Sequence, residues 1–477
     1  MKNRIKQYLL AASMCVGLTA CSDFFEPIPG VQFGLDETFA SKQRTEEYLN
    51  NVYSYVREVT DAIHPNTYGG IFTEASLDGA NRWNKTYAEW TNGSFNSASA
   101  QASEYFSKYY QAIAKASTFI QNVDKCTEAA ASTRGKWKSE ARALRAYYYF
   151  ELLRLYGPIP LIGEDPIPLD ASLEELIKER NSVDECVNFI ATELQSAIDS
   201  GDLLQRAGKA NLGRMDVATC MALKAKLYLY WASPLFNGNT DQASVKNKDG
   251  KQLFPQTEDN SKWAQARDAY ERFMTFATGQ GYKLTEVYTN GKLDPYASCR
   301  AAGEFFTTTW EAVDELIFVK LRDLYDYTYW VCPKFTDFQD TDVTGGGGYY
   351  TTQETVDLFF TKDGLTIEED PSYDKFEGIP GANNFTSGRY YDPNNPSRLY
   401  FDADKSKVLK QWKDREPRFY ANIRFHGEYC SFDDTKRTHN FLNEGKDGKP
   451  SHDSPIAGYQ INKALNPSTR HGVAYPY

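Results

Sequence analysis

Two stretches concentrate flat aromatic rings among hydrogen-bonding side chains. "GANRWNKTYAEWTNGSFN" carries Trp83, Tyr87 and Trp90, and "LRDLYDYTYWVCPKF" carries Tyr325, Tyr327, Tyr329 and Trp330. A phenol or indole face packs well on the apolar C–H face of a sugar ring, and the interleaved Arg and Asn of the first stretch and Arg and Asp of the second suit its hydroxyls. The competing role for any one of these rings is to anchor its own loop to the scaffold. Tyr147, Tyr148 and Tyr149, by contrast, fall inside a helical pattern and read as core.

Covalent chemistry finds less support. The histidines (His64, His426, His439, His452 and His471) include no H-E-x-x-H and no pair at helical spacing, which argues against a zinc hydrolase. Gly345 to Gly348 are not followed by Lys-Ser or Lys-Thr, so they form no phosphate-binding Walker loop, and there is no G-x-S-x-G elbow. "DADKSK" lacks the glycine and terminal glutamate of an EF-hand, although a calcium ion held by dispersed loop oxygens stays open. Carboxylates are plentiful, and a glycosidase needs only two at the right separation. A surface glycoside hydrolase is therefore the enzyme alternative, but the strand-then-helix alternation of barrel hydrolases is missing. The expectation is a binding protein, not an enzyme, with no cofactor and no metal.

The elements that would position these stretches are mostly helices. Phe106, Tyr109, Ile113, Ala116, Ile120 and Val123 advance by three or four residues and draw one apolar stripe. In "SEARALRAYYYFELLRLYGPIPLI", Ala141, Leu144, Tyr148, Leu152 and Leu155 form an inner face with Arg142, Arg145 and Arg154 off it, and Gly157-Pro158 signals the stop. Ser182-Val-Asp-Glu185 is a capping box opening a helix with Cys186, Phe189, Ile190 and Leu194. A small-residue stripe follows (Met215, Ala218, Ala222, Ala225, Leu229, Ala232), and Ser261 is placed to N-cap a helix bearing Trp263, Ala266, Tyr270 and Phe273. Helical hairpins in succession, with the Trp263-to-Tyr270 interval, predict a mainly α fold: an irregular tetratricopeptide-like array with long loop-rich insertions and few short strands. The array is expected over about 36–280, and from 281 to 477 loops are expected to lie over it within one domain. "ELIFVKLR" alternates like a strand, and the Gly-, Pro- and Asn-rich run from 370 to 401 reads as ordered loop pinned by its aromatics.

At the N-terminus, Lys2, Arg4 and Lys6 precede an apolar run too short to span a bilayer, the pattern of a secretory signal over residues 1–20. Leu18-Thr19-Ala20-Cys21 resembles the lipobox of bacterial lipoproteins, which makes Cys21 the expected lipidation site, and two acyl chains suffice for stable anchoring. "SDFFE" resembles the acidic export signal of Bacteroidetes-type surface lipoproteins. Loss of 1–20 lowers the basic residues from 53 to 50 against 64 acidic ones, a formal charge of −14. Such a balance argues against nucleic acid or anionic lipid as a partner. Cys126, Cys186, Cys220, Cys299, Cys332 and Cys430 are widely and irregularly spaced, without C-x-x-C, and read mostly as buried thiols.

The lipobox with "CSDFFEP", then "EARALRAYYYFELLRLYGPIPLI", "ALKAKLYLYWASPLF", "GYYTTQETVDLF" and "DREPRFYANIRF" resemble, in that order, the SusD/RagB family over nearly all of residues 21–477. The resemblance implies a lipid-anchored outer-membrane protein facing the cell exterior. It implies a glycan ligand and delivery of that glycan to a SusC-like TonB-dependent transporter. A peptide or glycoconjugate ligand on the same fold is the alternative, and a purely structural lid a further one. By position in the loops, it implies ligand contacts from Arg82, Trp83, Trp90 and Asn92 and from Tyr327 and Trp330. C-terminal helices usual in the family are not recognisable before "STRHGVAYPY", and the expectation is that they are missing.

Overall fold

The computed structural model describes residues 34–56, 76, 78–81, 93–168, 171–304, 314–320, 331, 347–374, 380–429, 438–442, 445, 447 and 455–463. Cys21 and the six expected ligand contacts lie outside these described residues. Helices α1 (Leu35–Ala40), α2 (Lys42–Ser54), α3 (Ala100–Asn122), α4 (Ala131–Tyr156), α5 (Val183–Asp199), α6 (Val217–Ala232) and α7 (Ser261–Gly279) come first. From α3 onward each packs on its successor, the arrangement of stacked helical hairpins.

Helix α4 is the hub. Its expected inner face is buried at Ala141, Leu144, Tyr148 and Leu152, but so is most of the rest, because α3, α5 and the N-terminal helices enclose it. The expectation that Arg145 lies off the packed face is therefore corrected. Arg145 is fully buried and donates from Nε to Glu193 of α5 at 2.8 Å and from Nη1 to Ser117 of α3 at 3.0 Å, so three helices share one compensated charge. Tyr147 to Tyr149 are core, as the pattern predicts. The helix stops at Gly157, whose φ of 68° suits glycine, and a Cβ there would sit 3.0 Å from the Phe254 ring. The capping box at Ser182 forms as read, with Glu185 accepting from the Ser182 amide at 2.7 Å and Ser182 Oγ from the Glu185 amide at 3.3 Å.

At the array's outer edge the periodic reading needs correction. Helix α7 buries Ala266, Ala269, Phe273 and Ala277 against α6, while Trp263 is exposed and Tyr270 half-buried. Ser261 is the first helical residue and Asn260 stands at the cap position. Phe106 and Leu229 are likewise exposed.

The second half builds a separate core of Val356, Tyr400, Phe401, Val408, Trp412, Phe419, Tyr420, Ile423, Phe425 and Tyr459. Its aromatics do pin the loops: Tyr400 stacks on Tyr420 at 3.9 Å and Tyr390 on Phe401 at 5.1 Å between ring centres. Its elements include helices α8 (Pro295–Glu304) and α9 (Pro417–Asn422) and a short helix at Gln353–Asp357, and the chain's antiparallel pairs among the described residues are β1 (Ala80–Asn81) with β4 (Tyr349–Tyr350), β2 (Tyr288–Thr289) with β3 (Lys292–Leu293), β5 (Arg389–Asp392) with β6 (Asn395–Asp402), and β7 (Ile423–Arg424) with β8 (Gln460–Ile461). "ELIFVKLR" is not a strand within its described residues 315–320. It is a strap across the helical array: Ile317 O accepts from Thr219 of α6, Phe318 packs edge-on to Tyr147, and Lys320 Nζ donates to Ser54 O and Val56 O at the end of α2. Its alternation serves contact with helices instead of a neighbouring strand, and the lysine suits the negative end of the helix dipole.

Candidate functional site

Stretch 82–92 leaves directly from β1, and stretch 321–330 runs directly into Val331, a fully buried residue. Asn81 pairs with Tyr349 and Ala80 with Tyr350, so the root of the first stretch is hydrogen-bonded to β4. Two residues back along the chain, Gly347 O accepts from Gln460 Nε2 at 2.9 Å, and β4 lies against β8. Gln460 pairs in register with Arg424 on β7. Arg424 Nη1 reaches Val331 O at 3.4 Å and Nη2 donates to Asn462 Oδ1 at 2.6 Å. The roots of both aromatic stretches are thus tied to one small frame, β1–β4–β8–β7, whose side chains at Tyr349, Arg424, Gln460 and Asn462 are all buried.

A second guanidinium braces this frame from α8. Arg300 Nη1 donates to Ala421 O at 3.1 Å and to Asn462 O at 2.9 Å. Helix α8 is itself held by Asp294, which accepts the Ala297 amide at 2.9 Å and takes both Nη atoms of Arg398 at 2.8 and 2.9 Å. That fork keeps the Asp294 carboxyl well below the usual range. The buried carboxyl facing the two frame guanidinia is Glu428. Burial pushes it up to about 8, and the pull of Arg424 and Arg300 only partly opposes this. His426 on the same stretch is pushed down to about 4 by burial alone.

Placement of the predicted site residues divides cleanly. Arg82, Trp83, Trp90, Asn92, Tyr327 and Trp330 lie outside the described residues; among the described ones, Asn81 and Val331, which flank these stretches in sequence, are tied to the same frame. Sequence reasoning missed Arg424, Gln460 and Asn462. Their only local signal is a polar residue beside isoleucine in a short two-residue alternation, "NIRF" and "YQIN", which is indistinguishable from many surface strands until pairing buries both faces. Among the described residues no group of three or more His, Cys, Asp or Glu is placed to hold a metal ion.

The motif "DREPRF" has a structural task. Arg415 is buried and donates to Val356 O at 2.6 Å, Phe359 O at 2.7 Å and Tyr373 Oη at 2.8 Å, closing the carbonyl end of the short helix Gln353–Asp357. Glu416 accepts the Phe360 amide at 2.9 Å, and Pro417 opens α9.

Comparison with known proteins agrees with this architecture. A family model described as "Starch-binding associating with outer membrane" matches residues 32–229, and the "SusD family" model matches residues 315–475. The chain belongs to the SusD/RagB family. A SusD-like protein of Bacteroides ovatus is 27% identical over 175 residues, which are 35% of this chain and 30% of that protein, so the match spans under a third of the relative's length. Among solved structures, BT4246 is similar with a TM-score of 0.71 at 24% identity, covering 90% of this chain and 73% of that one. A SusD-like protein from Bacteroides fragilis, BF3747, gives 0.63 at 20% identity over 94% of this chain and 73% of that one. These likenesses establish the SusD-like helical fold. Among the described residues no helix is long and apolar enough to cross a membrane.

Proposed function

We propose that this SusD-family chain is a lipid-anchored, surface-exposed glycan-binding protein that captures oligo- or polysaccharide and passes it to a SusC-like TonB-dependent transporter. The observation that carries the reading is the frame of two strand pairs, joined by the Gln460 side chain, to which Asn81 and Val331, the residues flanking the two stretches rich in aromatic and hydrogen-bonding side chains, are tied. Two aromatic platforms from distant parts of the chain suit a ligand with several sugar rings. In this reading Trp83, Trp90, Tyr327 and Trp330 stack on the rings and Arg82 and Asn92 bond the hydroxyls. A SusD-like protein of Bacteroides fragilis with the same fold, BF0978, at a TM-score of 0.58 and 17% identity, is described as carbohydrate-binding, which supports the ligand class. Binding proceeds without bond cleavage.

The test is retention of the purified chain lacking residues 1–21 on immobilised polysaccharides, mucin glycans and peptides, with released sugar assayed in parallel. Retention without release, weakened at least tenfold by Trp83→Ala or Trp330→Ala, is the expected outcome; stacking losses of ~1–3 kcal/mol per ring set that scale. Release of sugar would replace this reading with a hydrolase, and retention on peptides alone with a peptide binder.

A further inference from the structure

The hairpin β5–β6 carries the aromatic rings of Tyr390, Tyr391, Tyr400 and Phe401, and three of them serve the second core: Tyr390 stacks on Phe401, and Tyr400 on Tyr420. Tyr391 does not. It is 41% exposed and meets no other ring among the described residues. The strand register gives the reason. Tyr390 pairs with Phe401 but Tyr391 pairs with Leu399, so Tyr400 is an extra residue on β6. That bulge lets Tyr400 and Phe401 both enter the core, while Tyr391 is left on the solvent side with the half-buried Leu399 opposite.

Beside this ring the polar groups are already in place. Arg389 Nε donates to Asp402 Oδ2 at 3.0 Å; the carboxylate side chain is 2% exposed and that of the arginine 56%. The Tyr391 hydroxyl is the next polar neighbour of the same guanidinium. With Nε taken by Asp402, the two Nη groups keep the planar fork that matches a pair of neighbouring oxygens. Asp402 offsets the charge of the fork and the chain as a whole is acidic, so adjacent neutral hydroxyls suit it better than an anion. The hairpin is also stiff: Arg398 donates to Asp392 at 2.6 Å and to Asp294 before α8 at 2.8 and 2.9 Å, and Asp392 accepts the Asn394 amide at 2.8 Å. A platform held this way loses little freedom when it binds.

We propose that Tyr391 and Arg389 form a further carbohydrate-contacting platform, built from residues outside the two aromatic stretches, in which the Tyr391 face takes the C–H face of a neutral sugar ring and the Arg389 Nη groups donate to two adjacent hydroxyls. This rests on the reading that the chain binds glycan.

The experiment compares wild type with Tyr391→Ala, Tyr391→Phe, Arg389→Gln and, as a control, Tyr288→Ala, which removes an exposed tyrosine from β2. Retention is measured on immobilised starch, xylan, mixed-linkage β-glucan, mucin and polygalacturonate. Nitration of wild-type tyrosines by tetranitromethane is mapped by mass spectrometry with and without the soluble form of the retaining polysaccharide. Tyr391→Ala and Arg389→Gln are expected to weaken retention about tenfold, with Tyr391→Phe and Tyr288→Ala changing it by about twofold or less. The polysaccharide is expected to protect Tyr391, and not Tyr288, from nitration. Equal retention of Tyr391→Ala and wild type, nitration of Tyr391 unchanged by ligand, or retention on polygalacturonate alone overturns the platform and leaves the glycan reading standing. If none of these matrices holds the wild type, the glycan reading falls and the platform with it. The nitration readout decides the matter if a variant shows no cooperative melting transition, because it uses the unaltered chain.

Discussion

Glu428 illustrates how burial overrides a residue's ordinary chemistry. Its carboxyl is raised from the ordinary 4.5 to about 8, so the folded chain keeps a proton that the unfolded chain releases between those values. Raising the pH from 4.5 to 8 therefore costs stability, and the stabilising contribution is gone above 8. Glu428→Gln, which mimics the protonated form, is expected to remove this alkaline loss, seen as a smaller difference in melting temperature between pH 5.5 and pH 8.5. His426 acts in the opposite direction: lowered from 6.5 to about 4, it withdraws stability as pH falls through that window. Arg415 gives a larger, pH-independent effect. Its replacement by alanine takes the guanidinium donor from the carbonyls of the buried Val356 and the half-buried Phe359 and is expected to cost about 3 kcal/mol in chemical denaturation. The family resemblance singles out "DREPRF" as a motif, yet only the packing shows why arginine must stand there.

Among the elements, local sequence had most authority where it was self-contained. The Ser182 capping box, the Gly157 stop and the Tyr147–Tyr149 core positions depend on interactions within a few residues or on one enclosed helix, and all three are present as read. Ser182→Ala is expected to cost ~1 kcal/mol, with the loss measured by denaturant midpoint at unchanged slope. Authority failed where the outcome depended on who the neighbour is. Arg145 enters the core because Glu193 arrives from another helix, Trp263 stays out because α7 has a neighbour on one side, and "ELIFVKLR" straps helices because no strand lies alongside its described part.

For the whole molecule, the strap at 315–320 packs on the helical core, while α8 is tied by Arg300 to the second core's Ala421. Phe318→Ala, removing a half-buried ring from the strap, is expected to cost about 2 kcal/mol, seen as a lower melting temperature by scanning calorimetry. The proposed lipid anchor is tested at Cys21: Cys21→Ser is expected to abolish palmitate labelling and release the protein from the membrane fraction. Sequence alone determined the helical character, the capping and stop signals, the acidic balance and the family resemblance, because each is written in residue types at short spacing. Tertiary structure decided that Asn81 and Val331, the described residues flanking the two aromatic stretches, are tied to one frame. That juxtaposition is made by Arg424, Gln460 and Asn462 pairing across long sequence separations, and no local pattern encodes which distant backbone a side chain will meet.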